Sequence, residues 1–232
     1  MIAFVGSDGS GKSTLAQGIV EWLSDKIDVL PVYFGSGQGP GSVLRWPLQL
    51  AAGFVHRLGK ARPEAQAAPD ANGKAARRRK PAWEVVGRVL WALTLSHEKR
   101  RKLRRAWAGH EQGMIVVCDR FPQNQVAGYM DGPLLTHWRD HRFRLFRALA
   151  RWERAPYEWA DLHPPDLVIR LNVSPQIALR RKPEMSWPEV SRRITATRRL
   201  RYPRITKVVT LDADRPIDQL LLEAKNLIWD AI

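Results

Sequence analysis

An α/β fold, with a parallel sheet of about five strands and helices on both faces, is what these 232 residues predict, and three observations predict it. Short apolar runs alternate with stretches of helical period along most of the chain, a pattern that favours strand–helix–strand units with a parallel sheet over hairpins. Between the first such run and the first helix stands "GSDGSGKST", Gly6–Thr14, a glycine-rich turn ending in Lys-Ser-Thr. A later apolar run, Met114–Cys118, leads straight into Asp119-Arg120 and so puts a carboxylate at the carboxyl end of a strand, where ligands bind in open α/β sheets.

The elements follow in order. Met1–Val5 reads as a short buried strand, and Leu15, Ile19, Trp22 and Leu23 give the helix after it an apolar face. Val29–Phe34 reads as the second strand. From Gly35 to about Pro81 glycine, proline and alanine dominate, and Ala61–Lys80 lacks the apolar residues needed to offset ordering entropy, so a mobile insertion or lid is expected there. Val85, Val86, Val89, Leu90 and Leu93 then share a helical face, and the helix is expected to run through a basic stretch to Ala108. After the strand at Met114–Cys118, Trp138–Glu153 reads as helix, with Arg144, Arg147, Arg151 and Arg154 as a stripe and Phe143, Phe146 and Leu149 as its packing face. Asp166–Asn172 is the fourth strand, Ser174-Pro175 opens a short helix, and Arg180-Arg181-Lys182-Pro183 ends it. Pro188–Arg201, Ile205–Leu211 and Pro216–Ile232 complete the pattern as helix, strand and amphipathic helix within one domain, residues 1–232.

The glycine-rich turn matches G-x-x-x-x-G-K-[ST] at every position. Glycines at 6, 9 and 11 let backbone N–H groups curl around a phosphate chain, and the helix start adds its partial positive charge. In such a loop Lys12 reaches the β- and γ-phosphates and the Ser13 hydroxyl ligates Mg²⁺.

Composition narrows the setting. The longest apolar windows are short and broken by arginines and a proline, so neither a membrane span nor a signal peptide is expected. The single cysteine, Cys118, excludes an internal disulfide and agrees with a reducing, cytoplasmic location. His137 and His141 share a helical spacing without a third ligand nearby, which favours a solvated face over a metal site. Net charge is +15, and Lys74–Arg105 alone carries twelve basic residues against two glutamates. A phosphorylated substrate, an anionic surface met through residues 74–105, nucleic acid or plain solvation each accounts for that excess.

Four separated pieces, "GSDGSGKST", "VVCDRF" (Val116–Phe121), "PDLVIRLNVSPQIALRRK" (Pro165–Lys182) and "LDADRPIDQL" (Leu211–Leu220), together resemble the thymidylate kinases and their relatives. The resemblance implies a three-layer P-loop kinase fold, ATP and Mg²⁺ as cofactors, and a small-molecule phosphoryl acceptor. It implies that Gly9, Ser10, Gly11, Lys12, Ser13 and Thr14 hold the ATP phosphates. Asp8 faces the acceptor, Asp119 works beside Mg²⁺ with Ser13, and Arg120 grips phosphate. Arg180 and Arg181 begin a lid over ATP at about residues 180–190, and Asp212 and Ala213 meet the adenine. Lys12, Asp119, Arg120 and Arg181 are thus the expected catalytic set. For Arg180–Lys182 a solvated helix turn, and for Asp119-Arg120 a structural ion pair, remain the alternatives.

The acceptor side departs from the family. Its Arg-Glu-Pro-Gly turn is replaced by "YFGSGQGPGS", so Tyr33 and Phe34 lead into a segment without arginine, and counting back from Asp119 sets Glu98 and Arg100 at the acceptor-facing helix positions. The expected activity is therefore ATP-dependent phosphorylation of a nucleoside monophosphate, dTMP or related, or of another phosphorylated metabolite. A sugar or sugar-phosphate kinase, or a non-catalytic ATP-responsive binder of polyanions or membrane surfaces, stays open, as does assembly into a homodimer.

Overall fold

The computed structural model describes residues 1–35, 82–129 and 131–231, with side chains in the long central helix from Val85 onward. The expected mobile segment Ala61–Lys80, and most of the insertion, lie outside the described residues. Five strands, β1 (Ile2–Gly6), β2 (Val29–Tyr33), β3 (Ile115–Asp119), β4 (Leu167–Asn172) and β5 (Lys207–Asp212), form one parallel sheet in the order β2-β3-β1-β4-β5. Among the described residues six α-helices accompany them: α1 (Lys12–Ser24), α2 (Ala82–Glu111), α3 (Arg144–Leu162), α4 (Pro175–Arg181), α5 (Trp187–Arg199) and α6 (Ile217–Trp229). The predicted architecture of five parallel strands between two helical layers is the one observed, with strand ends displaced by a residue or two.

Alternation along β1 divides the core. Ile2 and Phe4 pack with Leu15, Ile19 and Leu23 of α1, Ile194 of α5 and Ala224 of α6, whereas Ala3 and Val5 pack on the other face with Leu103 and Ala106 of α2 and Ala160 of α3. β1 lies centrally, so the loop that leaves its carboxyl end opens between β3 and β4, beside Asp119 at the end of β3. Cys118 is a buried residue of that strand, and burial pushes its thiol up to about 12, which leaves it inert at neutral pH.

Two helix expectations are corrected. Val85, Val89 and Leu93 of α2 pack into a third cluster with Leu135, Trp138 and Ala150, but Val86 and Leu90 are exposed. The stretch expected as helix from Trp138 is a 3₁₀ turn (Thr136–Trp138) followed by a break, in which His141 Nδ1 accepts the Phe143 N–H. α3 starts only at Arg144, and Ala150, Glu153, Pro156, Tyr157 and Ala160 are its buried residues, while Phe143 is exposed and Phe146 and Leu149 are half-buried at the third cluster. Apart from Tyr157, the residues of α3 that face the core are small or polar, and hydrophobic patterning misses such a face. Pro156 sits inside α3 and cannot donate to the Trp152 carbonyl; the Ser96 hydroxyl of α2 approaches that carbonyl at 3.5 Å and donates to the Glu153 carbonyl at 2.8 Å.

Candidate active site

The turn from β1 into α1 is built to receive an anion. Gly11 caps α1 at φ 81°, its side-chain position faces open space, no side chain caps the helix, and the first turn holds no acid. The first amides of α1 are therefore unspent. Gly9, at φ 79°, lies so close to α4 that a Cβ would fall 2.8 Å from the Ala178 carbonyl oxygen. Ser7 Oγ and Ser10 Oγ are buried without hydrogen-bond partners, and the ammonium of Lys12 folds back to donate to the Ser7 carbonyl at 3.1 Å. Lys12 is only 5% exposed; burial, reinforced by Arg120, lowers its pKa to about 8 against the pull of Asp8, Asp119 and Asp131. A buried cation with unspent donors around it is a phosphate-shaped arrangement.

Asp8 gathers three cations. Its carboxylate lies 3.5 Å from Lys12 Nζ, 2.7 Å from Arg120 Nη2, and in a short contact with Arg193 Nη1 of α5. Arg120 also donates to Asp131 at 2.9 Å, and Arg193 to Glu189 at 2.7 Å. Burial opposes the charge on Asp8, yet Lys12, Arg120 and Arg193 outweigh it and hold the carboxyl down at about 2. A carboxylate that acidic is a poor general base near neutral pH; what the geometry shows it doing is pairing with the three cations. Arg120 adopts φ 69°, an unusual left-handed conformation for a side chain of this size, secured by its N–H on the Phe4 carbonyl.

Beyond Asp8 a cavity of about 370 Å³ opens against α2 and the 128–134 turn, a volume suited to a small metabolite. Trp91, Leu95 and Lys99 enter it from successive turns of α2, opposite Tyr129, Asp131 and Tyr157. Lys99 is buried, donating to the Asp131 carbonyl at 2.6 Å and the Tyr157 hydroxyl at 3.2 Å. Burial, with Arg120 and Lys102 adding, lowers it to about 8 against Asp131 and Glu153. Because the unfolded chain keeps the ordinary 10.5, it binds more protons than the folded chain between about pH 8 and 10.5. The penalty for charged Lys99 is full below pH 8 and is relieved as pH rises through that window. Urea midpoints of the parent are expected to climb from pH 8 to 10 and those of Lys99→Met to climb less; equal slopes would mean Lys99 titrates normally.

The remaining expected residues fall as follows. Asp119 ends β3 with Oδ1 buried and without a hydrogen-bond partner, and Ser13 and Thr14 lie exposed in the first turn of α1. Arg181 donates from Nη1 to the Gly9 and Ala213 carbonyls, both at 3.1 Å, tying α4 to the glycine loop and to the turn after β5; Arg180 is exposed. Asp212 caps that turn by accepting from Asp214 N at 3.1 Å. Phe34 is a core residue packed edge-on against Phe121, and Tyr33 lies under the Lys102 ammonium at 5.7 Å. Glu98 pairs with Lys102 at 2.6 Å and Arg100 stacks 5.4 Å over Trp152, so neither lines the cavity; Lys99 between them does. Sequence reasoning missed Lys99, Asp131 and Arg193. The spacing Trp91-Leu95-Lys99 was the available signal for the first; nothing local marks the other two. Among the described residues no cluster of three or more His, Cys, Asp or Glu could hold a metal, and no helix is long and apolar enough to cross a membrane.

A central glycine loop capping a helix, beside a carboxylate-ended strand in a 2-3-1-4-5 sheet, defines a P-loop-like parallel α/β protein. Over 98% of its length the chain is 30% identical to the Escherichia coli (strain K12) protein named uncharacterized ATP-binding protein YghR, covering 86% of that protein. It is 29% identical over its full length to the one named uncharacterized ATP-binding protein YghS from the same strain, covering 93% of it. The chain belongs to the family of these proteins. No protein-family model matches it.

Proposed function

We propose that the protein is a thymidylate-kinase-like phosphotransferase that uses Mg·ATP to phosphorylate a small acceptor already carrying a phosphate. The observation that carries the reading is Asp8, one carboxylate shared by the phosphate loop through Lys12 and by the adjoining cavity through Arg120 and Arg193. Donor and acceptor would meet across it. The names of the E. coli relatives support ATP as the donor.

Phosphoryl transfer through a loose transition state needs positioning and positive charge more than acid–base chemistry. Lys12, Arg120 and Arg193 supply that charge. A phosphate acceptor needs no base to activate it, which agrees with the weak basicity of Asp8 and disfavours an alcohol acceptor. Lys99, with Trp91 and Tyr157 near it, would grip the far end of the acceptor, and Arg181 would fasten the lid helix over the nucleotide. The unpartnered Asp119 Oδ1 and the exposed Ser13 hydroxyl fit Mg²⁺, which would neutralise phosphate charge. Asp119→Asn is expected to raise the magnesium concentration needed for half-maximal turnover severalfold, read by titration at fixed ATP; an unchanged requirement would make Asp119 structural.

The deciding experiment measures ADP release against nucleoside monophosphates, sugars and sugar phosphates. Release dependent on one phosphorylated acceptor is expected. Selective use of an unphosphorylated sugar, or no acceptor dependence with ATP bound, would overturn the reading. The segment after β2 carries no arginine where the family binds acceptor phosphate, so dTMP is expected to be surpassed by another acceptor in kcat/KM.

A further inference from the structure

A second cavity, of about 300 Å³, lies between residues 133–140 and α3. Arg139, Arg147, Arg151 and Arg154 line it, and Asp140 stands among them as an acid. Arg154 is neutralised by Glu158 at 3.1 Å, and Arg147 Nη1 is spent on the His141 and Arg142 carbonyls at 2.8 and 3.1 Å. The side chains of Arg139 and Arg151 have neither hydrogen bond nor ion pair among the described residues. Glu153 stands in the same wall, but its carboxylate accepts the backbone N–H groups of Leu134 and Leu135 at 2.7 and 3.3 Å.

This charge is costly where it stands. Arg147, Arg151 and Arg154 are four and three residues apart, and like charges at those spacings destabilise a helix. The first turn of α3 holds Arg144 and no acid, the reverse of what the helix dipole favours. An anion in the cavity relieves the repulsion among the arginines that line it.

We propose that this cavity binds a small phosphorylated ligand, a phosphate monoester or diphosphate, at a site separate from the phosphate loop. Planar guanidinium groups match phosphate oxygens in pairs, and two of them here have no other partner. A concave pocket suits a compact anion, whereas a polynucleotide or a membrane needs an extended basic surface. The two cavities share a wall, in which Glu153 lining this one holds the N–H of Leu134 lining the other.

The test is calorimetric titration of the full chain with inorganic pyrophosphate, comparing the parent, Lys12→Ala and the double variant Arg139→Gln/Arg151→Gln. Two sites are expected in the parent, one lost in Lys12→Ala and the other weakened about tenfold or more in the double variant, whose melting is no lower than the parent's because the substitutions remove like-charge repulsion. Both arginines are exposed, and the single Arg151→Gln serves if the double variant melts early. One parental site that vanishes with Lys12→Ala would overturn the proposal, as would further binding indifferent to both arginine substitutions. So would phosphatidylglycerol vesicles or poly(U) losing affinity for the arginine variant while pyrophosphate does not, since the arginines would then serve an extended surface.

Discussion

Lys12→Ala is expected to lower kcat by about 10²-fold or more, the scale of losing one preorganised charge at a transition state. Its stability is expected to stay within about 1 kcal/mol of the parent, because two effects oppose each other. Removing a buried ammonium, held down at about pH 8 by its own desolvation, relieves a cost; leaving Asp8 with two cations instead of three adds one. Steady-state ADP release together with urea unfolding checks both halves. A folded Lys12→Ala protein that turns over near the parental rate would remove the lysine from the chemistry.

Arg120→Ala is expected to cost about 3–5 kcal/mol of stability as well as turnover, since it strands the carboxylate of Asp131 and takes one of three cations from half-buried Asp8. The left-handed backbone at position 120 gives a control. Glycine adopts that conformation without the Cβ penalty, so Arg120→Gly should be about 1 kcal/mol more stable than Arg120→Ala while equally inactive. Arg120→Lys keeps the charge but cannot span both carboxylates, and should recover part of the stability and little of the activity. Urea midpoints of the three variants order these contributions. If Arg120→Ala unfolds within about 1 kcal/mol of the parent, the carboxylates are solvated and the bridge contributes no more than a surface ion pair.

Some of this could be read before any coordinates. The glycine loop is local: phosphate geometry dictates glycine, lysine and hydroxyl at fixed offsets, so the motif carries its own structure. Strand–helix alternation likewise announced a parallel sheet, because buried strands and amphipathic helices have different periods. The start of α4 was legible too, with Ser174 accepting the Ile177 N–H and proline in the first turn.

The acceptor side was not local. Which of Glu98, Lys99 and Arg100 meets the cavity depends on the rotation of α2 about its axis, at roughly 100° per residue, and a count from Asp119 cannot set that angle. Arg193 reaches Asp8 from 185 residues away, and Asp131 comes from a turn with no period to read. The buried face of α3 escaped because, apart from Tyr157, it is made of alanine, proline and a hydrogen-bonded glutamate, which carry no apolar period. By itself, then, the sequence determined the phosphate loop, the strand order of appearance and the parallel α/β class, all set by short-range spacing. Only the tertiary structure decided the cation cluster on Asp8 and the identity of the cavity-lining side chains, because charge pairing and helix rotation are settled between elements that meet only when the chain is folded.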